Sequence, residues 1–500
     1  MKSSTSMYLA AIALSAALAM PVGLTAQDRR DHHHKHPHYK LIDTGTLGGA
    51  NSSLGFEGER DINNRGTVVS TAETTIPDPY APACFEADCL VAHTVVWQDG
   101  NLTDLGALPP INNSGPLRIN DSGLIIGLSE NGTINPATGF PEFQAVLYKD
   151  EDLINLGGLG GDESVALDVN NRGQAVGCAA NTVSDSFFLC YGAAQQSRAF
   201  LWENGKIKDL GTLGGPDAFA AFINDRGQVA GWSLTDSAVN PATGIPTQHP
   251  FLWENGEMRD LGTIGGSAVP AINSMNSRGH FVGAMNVTGD QSSHPFLWDG
   301  GSLRDLGTLG GDVGSANWVS ETGEVVGWAF NTGDQAAHAF LWRKGKLTDL
   351  GTVDGDPNSV AFVVNSKGQV VGASQDTAQN NFAYLHAFLW ERGSIADLNA
   401  LVVPPNAGVQ LFAAPGLNER GEIVAQGVLP NGDQHAYLMI PCDEDHPGIE
   451  GCDYSMVDAT TIASHPGPVV RVATTRTLIP LTMQGGYRPH VQGGAVGPRN

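Results

Sequence analysis

The sequence has few basic residues for its length. Lys and Arg number 27 against 52 Asp and Glu in 500 residues, which gives a formal net charge of −25 at pH 7. Affinity for nucleic acid comes from Lys and Arg clustered against phosphates. The charge balance therefore excludes nucleic acid as a partner.

Apolar runs long enough to cross a bilayer are absent after the first 26 residues, since a span needs about 20 consecutive apolar residues. Residues 1–26 are typical of a secretory signal peptide, with Lys2, an apolar run over 7–24 and small residues before a cleavage site at Ala26. A retained anchor is the alternative. We expect a monomer, secreted or periplasmic by bacterial export, with no membrane contact after signal removal.

Sequence motifs of common catalytic sites are also absent. There is no His-Glu-x-x-His and no Gly-x-Ser-x-Gly, and the Leu-Gly-Gly runs have neither the Lys nor the following helix of a phosphate-binding loop. No catalytic residue, metal ligand or cofactor is therefore predicted.

Cysteine is scarce, and the six residues fall into local pairs. An exported protein favours disulfides, and the spacing does not fit a zinc site. Six cysteines allow 15 connectivities, of which we favour the local one: Cys84 with Cys89, Cys178 with Cys190, and Cys442 with Cys452.

Glycine, in contrast, is abundant at 63 residues, and it punctuates a repeat. The element Asp-Leu-Gly or a variant of it recurs at 43, 104, 155, 209, 260, 305, 349 and 397. A period near 50 indicates a supersecondary unit that stacks on copies of itself. Each unit holds four short runs of β-branched and aromatic residues between Gly turns, which predicts four strands. The first turn of a unit has Asn at its start and Gly at its fourth position, as in Asn365-Ser366-Lys367-Gly368, and such an Asn is expected to bond back to its own turn.

Four antiparallel strands repeated around an axis form a β-propeller. The chain begins with a fourth-strand element near Tyr39 and ends with a third-strand element near His435, with seven complete units between. We predict an all-β propeller of eight four-stranded blades over 39–441, closed between the N- and C-terminal strands. Seven blades and a β-solenoid are the alternatives. Residues 27–38 are expected to be a flexible His-rich leader, and 442–500 a disulfide loop and disordered tail.

The alternating motifs resemble the HAF-repeat family of bacterial extracellular proteins. The likeness rests on His338-Ala339-Phe340, on His386-Ala387-Phe388 and on the interleaved Asp-Leu-Gly-Thr-Leu-Gly-Gly elements, and it covers roughly residues 40–440. It implies export and a repeat architecture, and no catalytic residue. Gln144 and Arg198 replace the His in two units.

We assign structural roles to the polar and aromatic residues that recur in most units. We expect the His before the third strand to bond backbone or the fourth-strand Asp, and the Trp of the third strand to lie in the core. The ligand candidates are the residues outside this register or in the variable loops between second and third strands: Trp232, Trp328, Asp290, Asp334 and Asp433.

One unit breaks the symmetry. The loop over 71–92 is unusually long and contains Glu73, Asp78, Glu86 and Asp88. Surface solubility explains such acids as well as a site does. We therefore expect a non-enzymatic module that binds an extracellular glycan or protein through propeller loops. The alternatives are a polysaccharide hydrolase or lyase with acids at the channel mouth, and a purely structural surface protein.

Overall fold

The protein is an all-β fold of short antiparallel strands. The computed structural model describes residues 35–458 except 56–59, 111, 137–138, 151, 186–194, 242, 270, 377–382 and 405–407. These residues contain no α-helix, and none of their helical segments has the length and apolar character needed to span a bilayer.

The strands form eight four-stranded sheets in the described part of the chain, which confirms the predicted blades. A single parallel bridge between Ser293 and Val313 links two of these sheets, which are the fifth and sixth blades in chain order. In chain order, blade 1 comprises β3 (Gly48–Ser53), β4 (Val68–Pro77), β5 (Leu90–Gln98) and β6 (Asn101–Asp104); blade 2, β7 (Ser114–Ile119), β8 (Ile125–Ile134), β9 (Pro141–Lys149) and β10 (Asp152–Gly157); blade 3, β11 (Ser164–Val169), β12 (Ala175–Ser184), β13 (Gln195–Glu203) and β14 (Lys206–Asp209); and blade 4, β15 (Ala218–Ile223), β16 (Val229–Val239), β17 (Pro246–Glu254) and β18 (Glu257–Asp260).

The second half of the chain continues in the same order. Blade 5 comprises β19 (Ala271–Met275), β20 (Phe281–Asn286), β21 (Ser293–Trp298) and β22 (Leu303–Asp305); blade 6, β23 (Gly310–Val319), β24 (Val325–Asn331), β25 (Ala337–Arg343) and β26 (Lys346–Gly351); blade 7, β27 (Asn358–Val364), β28 (Val370–Asp376), β29 (Ala383–Glu391) and β30 (Ser394–Asp397); and blade 8, β31 (Gln410–Leu417), β32 (Ile423–Val428), β33 (Gln434–Pro441) and, from the start of the chain, β2 (Tyr39–Asp43).

Strand β2 completes the last sheet. It pairs antiparallel with β33 from Tyr39 opposite Pro441 to Asp43 opposite Tyr437. An apolar cluster that includes Ile62 and Val68 of blade 1 and Leu438 of blade 8 lies between these two blades. The first and last blades are therefore in direct contact.

The turn between the first and second strands of a blade also forms a hydrogen bond to the next blade. Asn365 Oδ1 accepts hydrogen bonds from the backbone N–H groups of Lys367 and Gln369, each at 3.1 Å, and Gly368 has a φ of +79°. This is the predicted Asn–Gly turn chemistry. The Nδ2 group of the same Asn reaches the carbonyl oxygen of Asn418 in the next blade at 3.2 Å.

The same interblade bond recurs around the propeller. Its donors and acceptors are Asn63 to Asn120 at 3.1 Å, Asn120 to Asn170 at 2.9 Å, Asn170 to Asn224 at 3.0 Å, Asn224 to Ser277 at 3.4 Å, Asn276 to Ser320 at 3.0 Å and Asn418 to Asn63 at 3.0 Å. We call this series the asparagine chain. Blade 6 has Ser320 at the turn position, where the shorter side chain bonds Thr322 instead.

A β-bulge recurs in the first hairpin of blades 2–7, opposite a glycine of the second strand. In blade 4 the register shifts between Ala220 and Phe222, and Ala220 pairs with Gly231. A Cβ atom on Gly231 would overlap the carbonyl oxygen of Phe219 and lie 2.6 Å from the Phe251 ring. The equivalent glycines, with the same close approach, are Gly127, Gly177, Gly283, Gly327 and Gly372.

Third strands are buried on both faces, as their sequence pattern predicts. Phe340, Ala339 and Leu341 of β25 are at most 4% exposed. The Trp at the end of this strand lies under a cation of the preceding blade: Lys208 over Trp253 at 5.1 Å, Arg259 over Trp298 at 5.2 Å and Arg304 over Trp342 at 6.0 Å. Aromatic core residues thus also join neighbouring blades.

The two ends of the described chain form a ribbon outside the blades. β1 (Lys35–Pro37) pairs with β34 (Met456–Asp458), and His36 is buried 3.2 Å from Glu391 of blade 7. The disulfide Cys442–Cys452 closes the preceding loop, in which buried His446 bonds Asp443 at 2.7 Å. The disulfide loop over 442–452 is as expected, whereas residues 35–38 and 453–458 differ from the expected flexible leader and disordered tail, because β1 and β34 pair with each other. Residues 1–34 and 459–500 lie outside the described part.

Candidate ligand-binding face

One half of the propeller has longer hairpins between second and third strands. Strands β4, β8, β12 and β16 have 10, 10, 10 and 11 residues, whereas β20, β24, β28 and β32 have 6, 7, 7 and 6. The added residues are exposed, and each long strand carries one exposed Ile or Val near its end: Ile76, Ile134, Val183 and Val239. In the described part of the chain, the second strands that lead into the variable loops are therefore longer in blades 1–4 than in blades 5–8.

The long loop of blade 1 folds toward blade 2. The Cys84–Cys89 disulfide closes its far end. The Phe85 ring meets the Phe143 ring edge-on at 6.1 Å, and the Tyr80 hydroxyl donates a hydrogen bond to Asn112 Oδ1 at 2.8 Å. Asp78 is 4% exposed and accepts backbone N–H bonds from Tyr80 and Phe85. The loop is thus a packed structure that places aromatic rings between two blades.

Asn113 connects this loop to an acid of blade 2. Its side-chain Nδ2 group donates to Asp78 Oδ2 at 3.0 Å and to Glu130 Oε2 at 2.8 Å, and its backbone N–H donates to the same Glu130 oxygen at 2.8 Å. Burial raises the pKa of Glu130 to about 7. Half of the Glu130 carboxyl groups are then protonated near neutral pH.

A second group of acids lies on blade 1. Glu73 accepts hydrogen bonds from the backbone N–H of Asn51 at 2.8 Å and from its Nδ2 group at 2.9 Å. Burial raises the pKa of Glu86 to about 8, and the charges of Glu73 and Asp88 add to the rise. Burial, and then Asp88, also raise the pKa of Glu73. Together with Asp78, Asn113 and Glu130 these residues form what we call the acidic network.

Buried acids continue into blades 3 and 4. Burial raises the pKa of Glu163 to about 8 and that of Asp217 to about 7. Asp217 accepts a hydrogen bond from the Ser197 backbone N–H at 2.7 Å, as Asn358 does from Ala337 in blade 7. A neutral amide takes the place of this acid in blade 7, and also in blade 2, where Asn113 Oδ1 accepts from the Ala92 backbone N–H at 2.8 Å.

The raised pKa of Glu163 gives a testable pH dependence. The folded state keeps this proton up to about pH 8, whereas the unfolded chain releases it near its ordinary value of about 4.3, so stability falls as pH rises through this window. We expect Glu163→Gln to increase the free energy of unfolding at pH 8 by about 2–4 kcal/mol and to change it little at pH 4.5. Urea unfolding at both pH values measures this. The exposed Glu257→Gln variant is the control, and equal effects of Glu163→Gln at the two pH values would contradict the expectation.

The first strands of blades 2 and 3, together with the segment between β3 and β4 of blade 1, hold a buried group of acidic and basic side chains that the sequence did not reveal. Arg118 Nε lies 3.7 Å from Asp168 and donates to the Leu167 carbonyl at 3.1 Å, with its guanidinium 4.4 Å from the Phe222 ring centroid. Burial raises the pKa of neighbouring Asp61 to about 8. These residues belong to separate repeats of the sequence, and only the folded structure brings them together.

The His of the third strand bonds the fourth-strand Asp in most blades, as expected. The Nδ1 atom lies 2.8–3.1 Å from the carboxylate oxygens in His93–Asp104, His249–Asp260, His294–Asp305 and His338–Asp349, and His435 lies 2.8 Å from Asp43. Arg198 makes the same contact with Asp209 at 3.0 Å. These pairs are structural ties between third and fourth strands.

Among the ligand candidates, Trp232 needs correction. It is 5% exposed and its ring stacks on Phe219 at 5.4 Å, so it is a core residue without an open face for a sugar. Trp328 is half-buried and meets Phe330 edge-on at 5.9 Å.

The three loop aspartates accept local hydrogen bonds, two of them from backbone N–H groups and one from a side-chain amide. Asp290 accepts from the Ser267 backbone N–H at 2.6 Å, Asp334 accepts from the Asp312 N–H at 2.9 Å, and Asp433 accepts from Asn431 Nδ2 at 2.7 Å. They stay candidates, now with a local structural role. Cys178 is disulfide-bonded, and Cys190 lies outside the described residues.

No known family model and no curated protein match the chain. Solved propellers resemble it in fold. The propeller domain of the Trilobed protease from Pyrococcus furiosus is 10% identical with a TM-score of 0.42, over 69% of this chain and 98% of that one. The Pyrococcus horikoshii acylaminoacyl peptidase is 11% identical with a TM-score of 0.39, over 69% of this chain and 52% of that one. The Trypanosoma rangeli sialidase is 9% identical with a TM-score of 0.31, over 84% of this chain and 95% of that one. At such identities the comparison concerns the fold alone.

Proposed function

We propose that the protein is an exported propeller of the HAF-repeat kind that binds a neutral glycan through the loop face of blades 1 and 2. The observation that carries the proposal is the acidic network beside the rings of Tyr80, Phe85 and Phe143. The hairpin between β8 and β9 of blade 2 also exposes the ring of Phe140. Carboxyl and amide groups that both donate and accept hydrogen bonds suit vicinal hydroxyls, and aromatic faces suit the apolar side of a sugar ring.

Charge supports a neutral ligand over an acidic one. Glu130 and Glu86 have pKa values near or above neutrality because they are buried. An anionic sugar would find carboxyl groups and no cation in the acidic network, and any ionised carboxylate there would repel it. The disulfides Cys84–Cys89 and Cys442–Cys452 are consistent with the proposed export, since such bonds persist in oxidising compartments.

The binding test uses the full chain on an array of neutral glucan, xylan and chitin oligosaccharides. We expect binding that Phe140→Ala and Glu130→Gln each weaken by about tenfold, a loss typical of one well-placed contact. Gln335→Ala, on the short hairpin of blade 6, is the matched control and should bind as the parent does. Binding that survives both blade 2 substitutions, or no binding to any neutral glycan, would overturn the proposal.

A second function, glycoside hydrolysis, is favoured by one observation. Glu73, Glu86 and Asp88 form a carboxyl group set in which Glu86 is held protonated at neutral pH, and a protonated acid beside an ionised carboxylate is the pairing that glycosidases use. Release of reducing ends from a glycan that the array identifies would support it. Release must then be lost in Glu86→Gln while binding is kept; binding without release leaves the module non-enzymatic.

A further inference from the structure

Blade 7 departs from the His–Asp pairing of blades 1, 4, 5, 6 and 8. His386 occupies the third-strand position, but its Nδ1 atom lies 2.8 Å from Asp356 Oδ2 and not against the fourth-strand Asp397. Asp356 belongs to the loop between β26 and β27, where Asp354-Gly355-Asp356 follows Val353. The equivalent loop in blade 4 is Leu213-Gly214-Gly215. The change introduces two carboxylates beside the His.

Three side chains from separate segments converge at this point. Asp354 comes from the loop, His386 from β29 and Asp397 from the end of β30, and their ligand atoms all lie within 4.8 Å of one another. Asp397 Oδ1 is fixed by two hydrogen bonds from Asn399, at 2.9 Å from N and 2.8 Å from Nδ2. His386 and Asp397 are half-buried and Asp354 is exposed.

The donor set is that of a transition-metal site with an open position. Imidazole binds Zn²⁺ and other first-row ions, carboxylates bind Mn²⁺, and three protein ligands plus water is a common arrangement. A ligating His usually has its other nitrogen bonded to a carboxylate. Asp356 lies at hydrogen-bond distance from Nδ1, and in the proposed site it keeps this bond while Nε2 of His386 binds the ion. Tetrahedral ligands at bonds of about 2.1 Å lie about 3.4 Å apart, so the side chains need to close in only slightly.

We propose that Asp354, His386 and Asp397 bind a divalent first-row transition-metal ion, with Asp356 orienting the His. This site lies on a different blade from the proposed glycan surface and is independent of it. The competing explanation is that protonated His386 only neutralises three neighbouring acids, and it predicts no stoichiometric metal binding.

Manganese is the sharper probe, because the His tract at 32, 33, 34, 36 and 38 also offers imidazoles, which suit Zn²⁺ better than Mn²⁺. Metal-free full-length protein is titrated with MnCl₂ while free Mn²⁺ is counted by electron paramagnetic resonance. We expect one bound Mn²⁺ per chain that Asp354→Asn and His386→Gln abolish. Asp356→Asn should weaken binding by about ten- to a hundredfold, as loss of an orienting partner does.

His338→Gln is the matched control, since His338 occupies the same position in blade 6 and pairs with Asp349 alone. It should bind Mn²⁺ as the parent does. Asp354 is exposed, so its substitution tests the site without loss of fold. Unchanged Mn²⁺ binding in Asp354→Asn, no stoichiometric binding by the parent, or displacement of Mn²⁺ by equimolar CaCl₂ would each overturn the proposal.

Discussion

Replacing Tyr39 with alanine is expected to lower the free energy of unfolding by about 3–5 kcal/mol, the usual cost of removing a large buried side chain. Tyr39 is fully buried in a cluster with Leu398, Leu401 and Val402. Its backbone N–H donates to the Leu401 carbonyl at 2.8 Å, and its carbonyl accepts from Val403 at 2.9 Å. The start of the chain therefore stabilises blades 7 and 8.

Urea unfolding followed by tryptophan fluorescence measures this loss. Tyr454→Ala is the control, because Tyr454 is 46% exposed and its removal should cost much less. If Tyr39→Ala were as stable as Tyr454→Ala, β2 would not be an integral strand of blade 8.

Gly231→Ala is expected to cost about 3 kcal/mol although it adds only one methyl group. The methyl would overlap the Phe219 carbonyl oxygen and press on the Phe251 ring, so the bulged hairpin of blade 4 would have to open. Thermal and urea unfolding both report the loss.

Gly158→Ala is the matched control for this substitution. A Cβ at Gly158 would have its nearest neighbour at 4.0 Å, on Ser164, and its backbone is not in the left-handed region. We expect near-parental stability there. Equal stability of the two variants would show that the hairpin tolerates a Cβ opposite its bulge.

The sequence predicts the blades well because the same local pattern recurs eight times along the chain. Strand runs, Asn–Gly turns and the fourth-strand start at Tyr39 are local signals, so blade number and the membership of β2 follow from them. The His–Asp pairs follow in the same way, since both residues lie on adjacent strands of one blade.

Features that join separate repeats were not predictable from the sequence. Asn365 was interpreted as a turn residue, and its bond to Asn418 depends on how two blades stack. Trp232 was expected to be accessible because it ends a second strand, but the neighbouring Phe219 covers it. The acids of 73–88 were recognised as an irregularity, whereas their link to Glu130 through Asn113 required the folded loop.

The shared blade and the asparagine chain have a consequence for how the molecule comes apart. Linear repeat proteins fray from their terminal repeats, each of which has one neighbour. In this protein Asn418 bonds Asn63 across the first and last blades, and β2 lies in the final sheet. Among the described residues the first and last blades therefore contact each other, and we expect proteases to cleave the long hairpins of blades 1–4 before either of these two blades frays.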